Sequence, residues 1–260
     1  MFSTKFSGGR QFIASKSPTS CSCRPLCIVR MKNKLYIVFA LFLCSKGSFS
    51  QVDEDKFGTW YMYFFNTSLK ESSWGFQADL QCRNWNALGD LEQLLIRGGV
   101  TYEPKKAKIK FTLGYGDVTT GAYGPEKSTT RESRIYQEAL FPLKIGERFY
   151  MNHRARYEQR FVQNQKFRTR YRYNLFLNIA LTNKELVKNT LYLALYNEIF
   201  INGQRNIGSG NTVEIFDRNR LYIALGFVFI DRLRLQLGVM NQTTDGWKKN
   251  QFQVSLHHQL

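Results

Sequence analysis

Cysteine, proline and histidine are scarce in this chain, and long apolar runs are missing. Four of the five cysteines, Cys21, Cys23, Cys27 and Cys44, fall in the first 50 residues, so the remainder keeps Cys82 alone. No disulfide framework can form within such a chain. The histidines, His153, His257 and His258, are too few and too scattered for a histidine-rich metal site. No CxxC, HExxH, GxSxG or phosphate-loop pattern occurs after residue 50, which removes the usual signatures of redox, metallopeptidase, serine-hydrolase and nucleotide chemistry. The two longest apolar runs, Leu35–Cys44 and Leu221–Ile230, hold ten residues each, whereas a membrane-spanning helix needs about 20. A helical membrane protein is therefore excluded.

Acidic residues are absent from the first 50 positions, which carry eight Lys or Arg; beyond them 29 basic residues face 20 acidic ones, and the formal charge falls from +17 to +9. From Met31 the chain reads MKNKLYIVFALFLCSKGSFSQ, with Lys32 and Lys34 as a basic region, Leu35–Leu43 as an apolar core, and small Ser48 and Ser50 before Gln51. That order is an export signal, with cleavage expected after Ser50. Residues 1–30 then read as an over-extended N-terminus with Met31 as the start, an organelle transit peptide being the alternative. Leu43 before Cys44 argues against a lipid-anchored cysteine. One domain is expected over 51–260.

What this domain has in abundance is alternation. Trp74, Phe76, Ala78, Leu80 and Cys82 interleave with Gly75, Gln77, Asp79, Gln81 and Arg83, and the pattern recurs at 167–181, 233–240 and 251–260. A period of two marks strands with one apolar face. Eleven are expected, near 57–66, 73–85, 92–102, 106–118, 132–142, 149–162, 166–181, 190–201, 214–229, 232–243 and 247–260. Pro104, Pro125 and Pro142 are assigned to the gaps, where a missing amide proton costs no ladder bond. GYGDVTTG at 114–121 reads as a strand end running into a loop. Long connections (86–91, 119–131, 202–213) are expected to exchange with tight ones (103–105, 143–148, 230–231), as on the two rims of a barrel. An odd count conflicts with the even numbers of bacterial barrels, so ten to twelve strands are allowed, with a missed strand or an irregularly paired first segment as the explanation.

The fold class expected is an all-β, transmembrane antiparallel barrel with a charged, arginine-rich lumen. Strands of nine or more residues suit a bilayer crossing better than a soluble sheet. Trp60, Tyr61, Trp74, Trp85, Tyr102, Tyr171, Tyr173 and Trp247 sit near segment ends, where aromatic girdles belong. A soluble exported β-sandwich that binds a ligand is the alternative architecture.

Particular segments carry a resemblance. LLIRGGVTY from Leu94, LGYGDV at 113–118, ESRIYQ at 132–137, RARYEQRF at 154–161, RTRYRYNLFL at 168–177, LYNEIFIN at 195–202, DRNRLYIALGF at 217–227 and GVMNQ at 238–242 together resemble domain-of-unknown-function family 2490. The resemblance spans nearly all of 57–260. It implies an exported outer-membrane β-barrel of Gram-negative bacteria, and it implies no activity.

The polar face holds the candidate site. A turn centred on Asn164 would set Arg160 opposite Arg168, Glu158 opposite Arg170, Arg156 opposite Arg172 and Arg154 opposite Asn174. Like charges directly opposite are unfavourable, so these arginines need acids from neighbouring strands. The candidates in phase are Glu132, Glu138 and Glu198, with Asp79 further round; Arg134 and Arg220 share the same face. Such a network is either a hydrogen-bonded plug or an anion-selective constriction or ligand cleft, since arginine rings select anions. The partners expected are outer-membrane lipid and a small anionic solute. Nucleic acid is not expected, because basic residues alternate with lipid-facing ones, and no catalytic, cofactor or metal residue is assigned. The rival function is an outer-membrane lipid hydrolase using Ser255 and His257, which share one face of the last strand.

Overall fold

The computed structural model describes Val52, residues 56–125 and residues 127–260; the leader, the export signal and its cleavage position lie outside the described residues. Eleven long strands form a closed barrel: β1 (Gly58–Ser68), β2 (Trp74–Asn84), β3 (Leu91–Tyr102), β4 (Lys110–Gly121), β5 (Thr129–Ile145), β6 (Phe149–Val162), β7 (Arg168–Ala180), β8 (Thr190–Asn202), β11 (Phe216–Ile230), β12 (Leu233–Thr243) and β13 (Lys248–Gln259). Between β8 and β11 a small hairpin, β9 (Asn206–Gly208) with β10 (Asn211–Thr212), stands apart from the barrel sheet. Every barrel neighbour is antiparallel except one: β1 pairs parallel with β13, from Gly58 opposite Gln251 to Asn66 opposite Gln259. The odd count explains this. In an up-and-down meander of eleven strands the first and last run the same way, so closure without an exposed edge has to be parallel.

We call the end where β1 begins the N rim and the end where β13 finishes the C rim. The contrast between long loops and tight turns is weaker than expected. The N rim carries the 203–215 connection but also the short 244–247, and the C rim carries the tight 146–148 and 231–232 but also 181–189. At 103–109 the expected strand start is replaced by a turn in which Ala107 N–H donates to the Pro104 carbonyl at 3.1 Å; β4 therefore begins at Lys110 rather than 106.

Two local assignments are corrected. GYGDVTTG is strand throughout, to Gly121. Gly114 and Gly116 face inward to make room: Gly114 lies opposite Tyr136, and a Cβ on Gly114 would run into the tyrosine ring. Gly226 stands in the same relation to Tyr192, also its registered partner. Pro142 lies inside β5, opposite Asn152. It is tolerated because β4 pairs with β5 only as far as Leu140; beyond that residue β5 has one neighbour, and a missing N–H on the open side leaves no ladder bond unmade.

Burial is inverted relative to a water-soluble barrel. Most outward residues in mid-strand are apolar and exposed, among them Ile96 at 53%, Leu113 at 60%, Tyr115 at 54% and Leu221 at 60%, with Asp117 and Gln137 as polar exceptions. The buried set is dominated by Arg, Glu, Gln, Asn and Thr. The aromatic ends also divide differently from expectation. Trp74 packs on Tyr102 at 4.8 Å on the outside, and Tyr61, Tyr171 and Tyr173 are exposed there. Trp60 and Trp85 belong to the interior: Trp60 is buried with its Nε1 donating to Glu92, and Trp85 donates to the Gly121 carbonyl. An indole N–H needs an acceptor when buried, and the polar lumen supplies it.

Candidate functional site

The β6–β7 hairpin turns at Asn164, whose φ of 61° gives the left-handed corner that asparagine tolerates better than most residues. The turn fixes the register, and Arg160–Arg168, Glu158–Arg170, Arg156–Arg172 and Arg154–Asn174 are directly opposite pairs, as the sequence phase requires. Even-numbered residues of both strands point into the barrel, where two pairs bring guanidiniums face to face. Carboxylates from either side separate the charges.

On the β5 side, Glu132 receives Arg134 through two hydrogen bonds of 2.8 and 2.7 Å and also receives Arg160. Glu138 accepts from Arg156 Nε at 2.6 Å and lies 3.7 Å from Arg154. Glu158, 1% exposed, sits at the centre: Arg170 and Arg172 each reach it at 2.6 Å, and Arg156 stands 3.8 Å away. From β8, Glu198 takes Arg172 at 2.6 Å and Arg154 at 2.8 Å. Arginine suits this task because its planar fork keeps its charge and spans two carboxylates at once. Aromatic faces hold the forks flat: Arg156 lies 4.4 Å from the Tyr136 ring centre and Arg172 lies 4.5 Å from that of Phe200.

Three expected members behave differently. Asp79 does not reach the ladder; it is clamped by Arg97 on the adjacent strand, with Nε and Nη2 contacts of 2.8 to 3.1 Å. Arg168 is buried, but its Nε has no hydrogen-bond partner and it forms no ion pair among the described residues. Arg220 is buried with Nε donating to Gln242 at 2.7 Å, its guanidinium between the Trp60 and Phe200 rings at 4.8 and 4.7 Å.

Two interior carboxylates escape the alternation altogether, and both sit at β-bulges. Between β8 and β11 the register passes from Phe216–Ile201 to Arg218–Phe200, so Asp217 is the extra residue. It reaches Arg170 at 2.9 Å and Arg218 at 3.2 Å. Between β2 and β3 it passes from Arg83–Gln93 to Asn84–Leu91, which makes Glu92 extra. Glu92 is 4% exposed and accepts from Trp60 Nε1 at 2.8 Å and Gln251 Nε2 at 3.4 Å. A bulge re-aims a side chain against its strand's parity, so period-two counting misses such positions. Arg83 and Arg97, by contrast, follow the parity of β2 and β3 and were readable as inward.

These contacts fill the N-rim half of the barrel. The other half is hollow: a cavity of about 370 Å³ runs from Arg83, Arg97, Arg156, Arg172 and Arg220 at its floor to Asp231, Arg232, Arg234 and His257 near the C rim. Its walls are aromatic and small, with Phe64, Phe176, Tyr192, Tyr196, Tyr222, Ala194 and Ser255. Ser255 and His257 do come together, at 3.2 Å, but inside the barrel, where Ser255 is fully buried and the His257 ring stacks on Phe64 at 4.8 Å. Among the described residues no group of three or more His, Cys, Asp or Glu side chains is placed to hold a metal ion.

No curated protein matches the chain. A family model described as "Protein of unknown function (DUF2490)" matches residues 57–253, from the residue before β1 to the middle of β13. That span takes in ten barrel strands and the first half of β13, the Arg/Glu network and most of the cavity wall, and the chain belongs to this DUF2490 family.

Proposed function

We propose that the protein is an exported barrel of the bacterial outer membrane that acts without catalysis, its N-rim half sealed by the Arg/Glu network. The observation that carries this reading is the inversion of burial: in mid-strand the outward face is predominantly apolar and the inward face predominantly charged or polar. Turning the six ladder arginines of β6 and β7 toward lipid would cost about 2–4 kcal/mol each near the midplane. Leaving the outward apolar surface in water is equally unfavourable, since patches far smaller than a whole barrel wall already mark interaction sites on soluble proteins. Lipid is accordingly the partner of the outer face. Basic residues turned inward leave no stacking surface for nucleic acid.

The seal is favoured over an open anion constriction because the carboxylates are saturated. Glu132, Glu138, Glu158 and Glu198 each hold two or more guanidiniums, and their side chains are 1–6% exposed. A lipid hydrolase is disfavoured because Ser255 points into the barrel, away from the surface where lipid would lie. Membrane fractionation with gel mobility before and after boiling, followed by planar-bilayer recording, tests the reading. The expected result is an outer-membrane protein with a heat-dependent mobility shift and no regular conductance steps. A chain found in the soluble periplasm would sink the membrane assignment, and steady anion-selective steps would sink the seal.

A further inference from the structure

The C-rim cavity has no part in the sealed-barrel reading, yet its floor holds charge that the network leaves unneutralised. Arg220 and Arg83 flank Trp60, at 4.8 and 4.1 Å from its ring. Among the described residues neither forms an ion pair. Arg83 is turned to Gln81 and Gln93, and Arg220 donates only through Nε, to Gln242. Two carboxylates stand nearby, but neither is hydrogen-bonded by these arginines: Glu92 is held by Trp60 and Gln251, and Glu198, directly opposite Arg220 across β8 and β11, is held by Arg172 and Arg154. A buried guanidinium without a carboxylate is costly to keep unless an anion joins it.

The walls above this floor indicate what else the anion carries. Tyr196 stacks on Tyr222 at 4.6 Å and Phe176 meets Tyr196 at 5.5 Å, which presents flat apolar faces to the cavity. On the same lining the Tyr222 hydroxyl stands beside that of Ser255, and Asn174 Oδ1 is buried with no hydrogen-bond partner. Native structures rarely leave such atoms unpaired. Tyr222 and Arg220 stand two residues apart on the inward face of β11, a spacing of about 7 Å along a strand that the two oxygens of one carboxylate bridge with a hydrogen bond at each end. The volume of about 370 Å³ lies within the range of small-molecule sites, roughly 300–1,000 Å³, which are mostly apolar with a few convergent polar groups.

We propose that the C-rim cavity binds a small aromatic carboxylate, with the carboxylate on Arg220 and Tyr222 Oη and the ring against Tyr196 and Phe176. The cation above the Trp60 face is then completed by the ligand, as the network arginines are completed by glutamates. Entry is from the C rim, past Arg234 and Arg232, whose side chains make no hydrogen bond or ion pair among the described residues and add positive potential at the mouth.

The test is calorimetric titration of the full barrel in detergent with 1-naphthoate, beside neutral 1-naphthamide and the variants Arg220→Gln and Tyr222→Phe. Saturable binding of 1-naphthoate is expected, at least about ten-fold weaker for the amide and for R220Q, a ratio that corresponds to about 1.4 kcal/mol. Y222F should weaken it about three-fold or more. Gel heat-modifiability checks that R220Q folds; if it does not, the amide and Y222F comparisons decide. No saturable binding of 1-naphthoate up to about 1 mM, or equal binding of the acid and the amide, would overturn the proposal. A conducting barrel that still binds 1-naphthoate would remove the seal and leave this site, and a silent barrel that binds nothing would do the reverse.

Discussion

The two halves of the barrel are built on the same eleven strands and the same alternation, yet one is packed and the other hollow. On the N-rim side the inward positions carry long, branched or forked side chains: Glu132, Arg134, Glu158, Arg160, Arg168 and Arg170. On the C-rim side they shorten, with Ala194, Ala224, Gly226, Gly238 and Ser255 beside a few aromatics. About eight strands give a lumen that ordinary side chains fill, and sixteen leave a channel. Eleven strands fall between, so side-chain length at each level decides whether the lumen closes. Arginine with glutamate closes it because the pair spans the gap and each carboxylate is held by two or more guanidiniums; alanine and glycine leave space.

Breaking the packed half should have the largest effect. Glu158→Ala leaves Arg170 and Arg172 without their central carboxylate and should destabilise the barrel by about 3–5 kcal/mol, the usual result of removing one partner from a buried ionic cluster. The drop would be read as a lower temperature for the unheated-to-heated gel shift. An unchanged transition would show that water screens the network and that the N-rim half is open after all.

A smaller effect separates the halves by their room for error. Gly114→Val drives a Cβ into Tyr136, which is 1% exposed and lies under the Arg156 guanidinium; overpacking of this kind costs about 1–3 kcal/mol. Gly226→Val makes the same collision with Tyr192, equally buried, but Tyr192 borders the cavity and can shift toward it by giving up its hydrogen bond from Gln236. The second substitution should cost clearly less than the first in parallel melts. Equal losses would mean that the cavity does not relieve strain.

The smallest effect on stability, and the sharpest on access, comes from single cysteines placed in a Cys82→Ser background. Gln236→Cys lines the cavity and Val118→Cys is fully enclosed on the inward face of β4. A small aqueous maleimide should modify the first in the folded barrel and the second only after boiling. Labelling of both at similar rates would erase the distinction between the halves.

Much of the interior was legible before any fold was known. The opposed pairs of β6 and β7 follow from one turn residue, Asn164, and from phase; Glu132, Glu138 and Glu198 were identified because like charges facing each other need acids from neighbouring strands. What escaped detection has a common cause. Asp217 and Glu92 sit at bulges, where the parity of the strand is broken locally. Trp60 and Trp85 look like girdle residues by their position near strand ends, and their inward orientation depends on acceptors, Glu92 and the Gly121 carbonyl, far away in the sequence. Gly114 and Gly116 of GYGDVTTG resemble loop residues until Tyr136 and Arg97 are seen to occupy the space they leave.

The alternation alone determined that this chain forms long strands, which residues share a face, and that a charged face lies opposite an apolar one. Those are local properties, set by the two-residue repeat of the extended backbone. Only the tertiary structure decided the parallel closure of β1 on β13, because closure depends on the number of strands rather than on any one of them. It also decided which carboxylate each arginine finds, as when Arg154 on β6 reaches past β7 to Glu198 on β8. The split between a packed half and a hollow half belongs to the same level. It arises from the match between side-chain length and barrel circumference, and no segment of sequence contains the circumference.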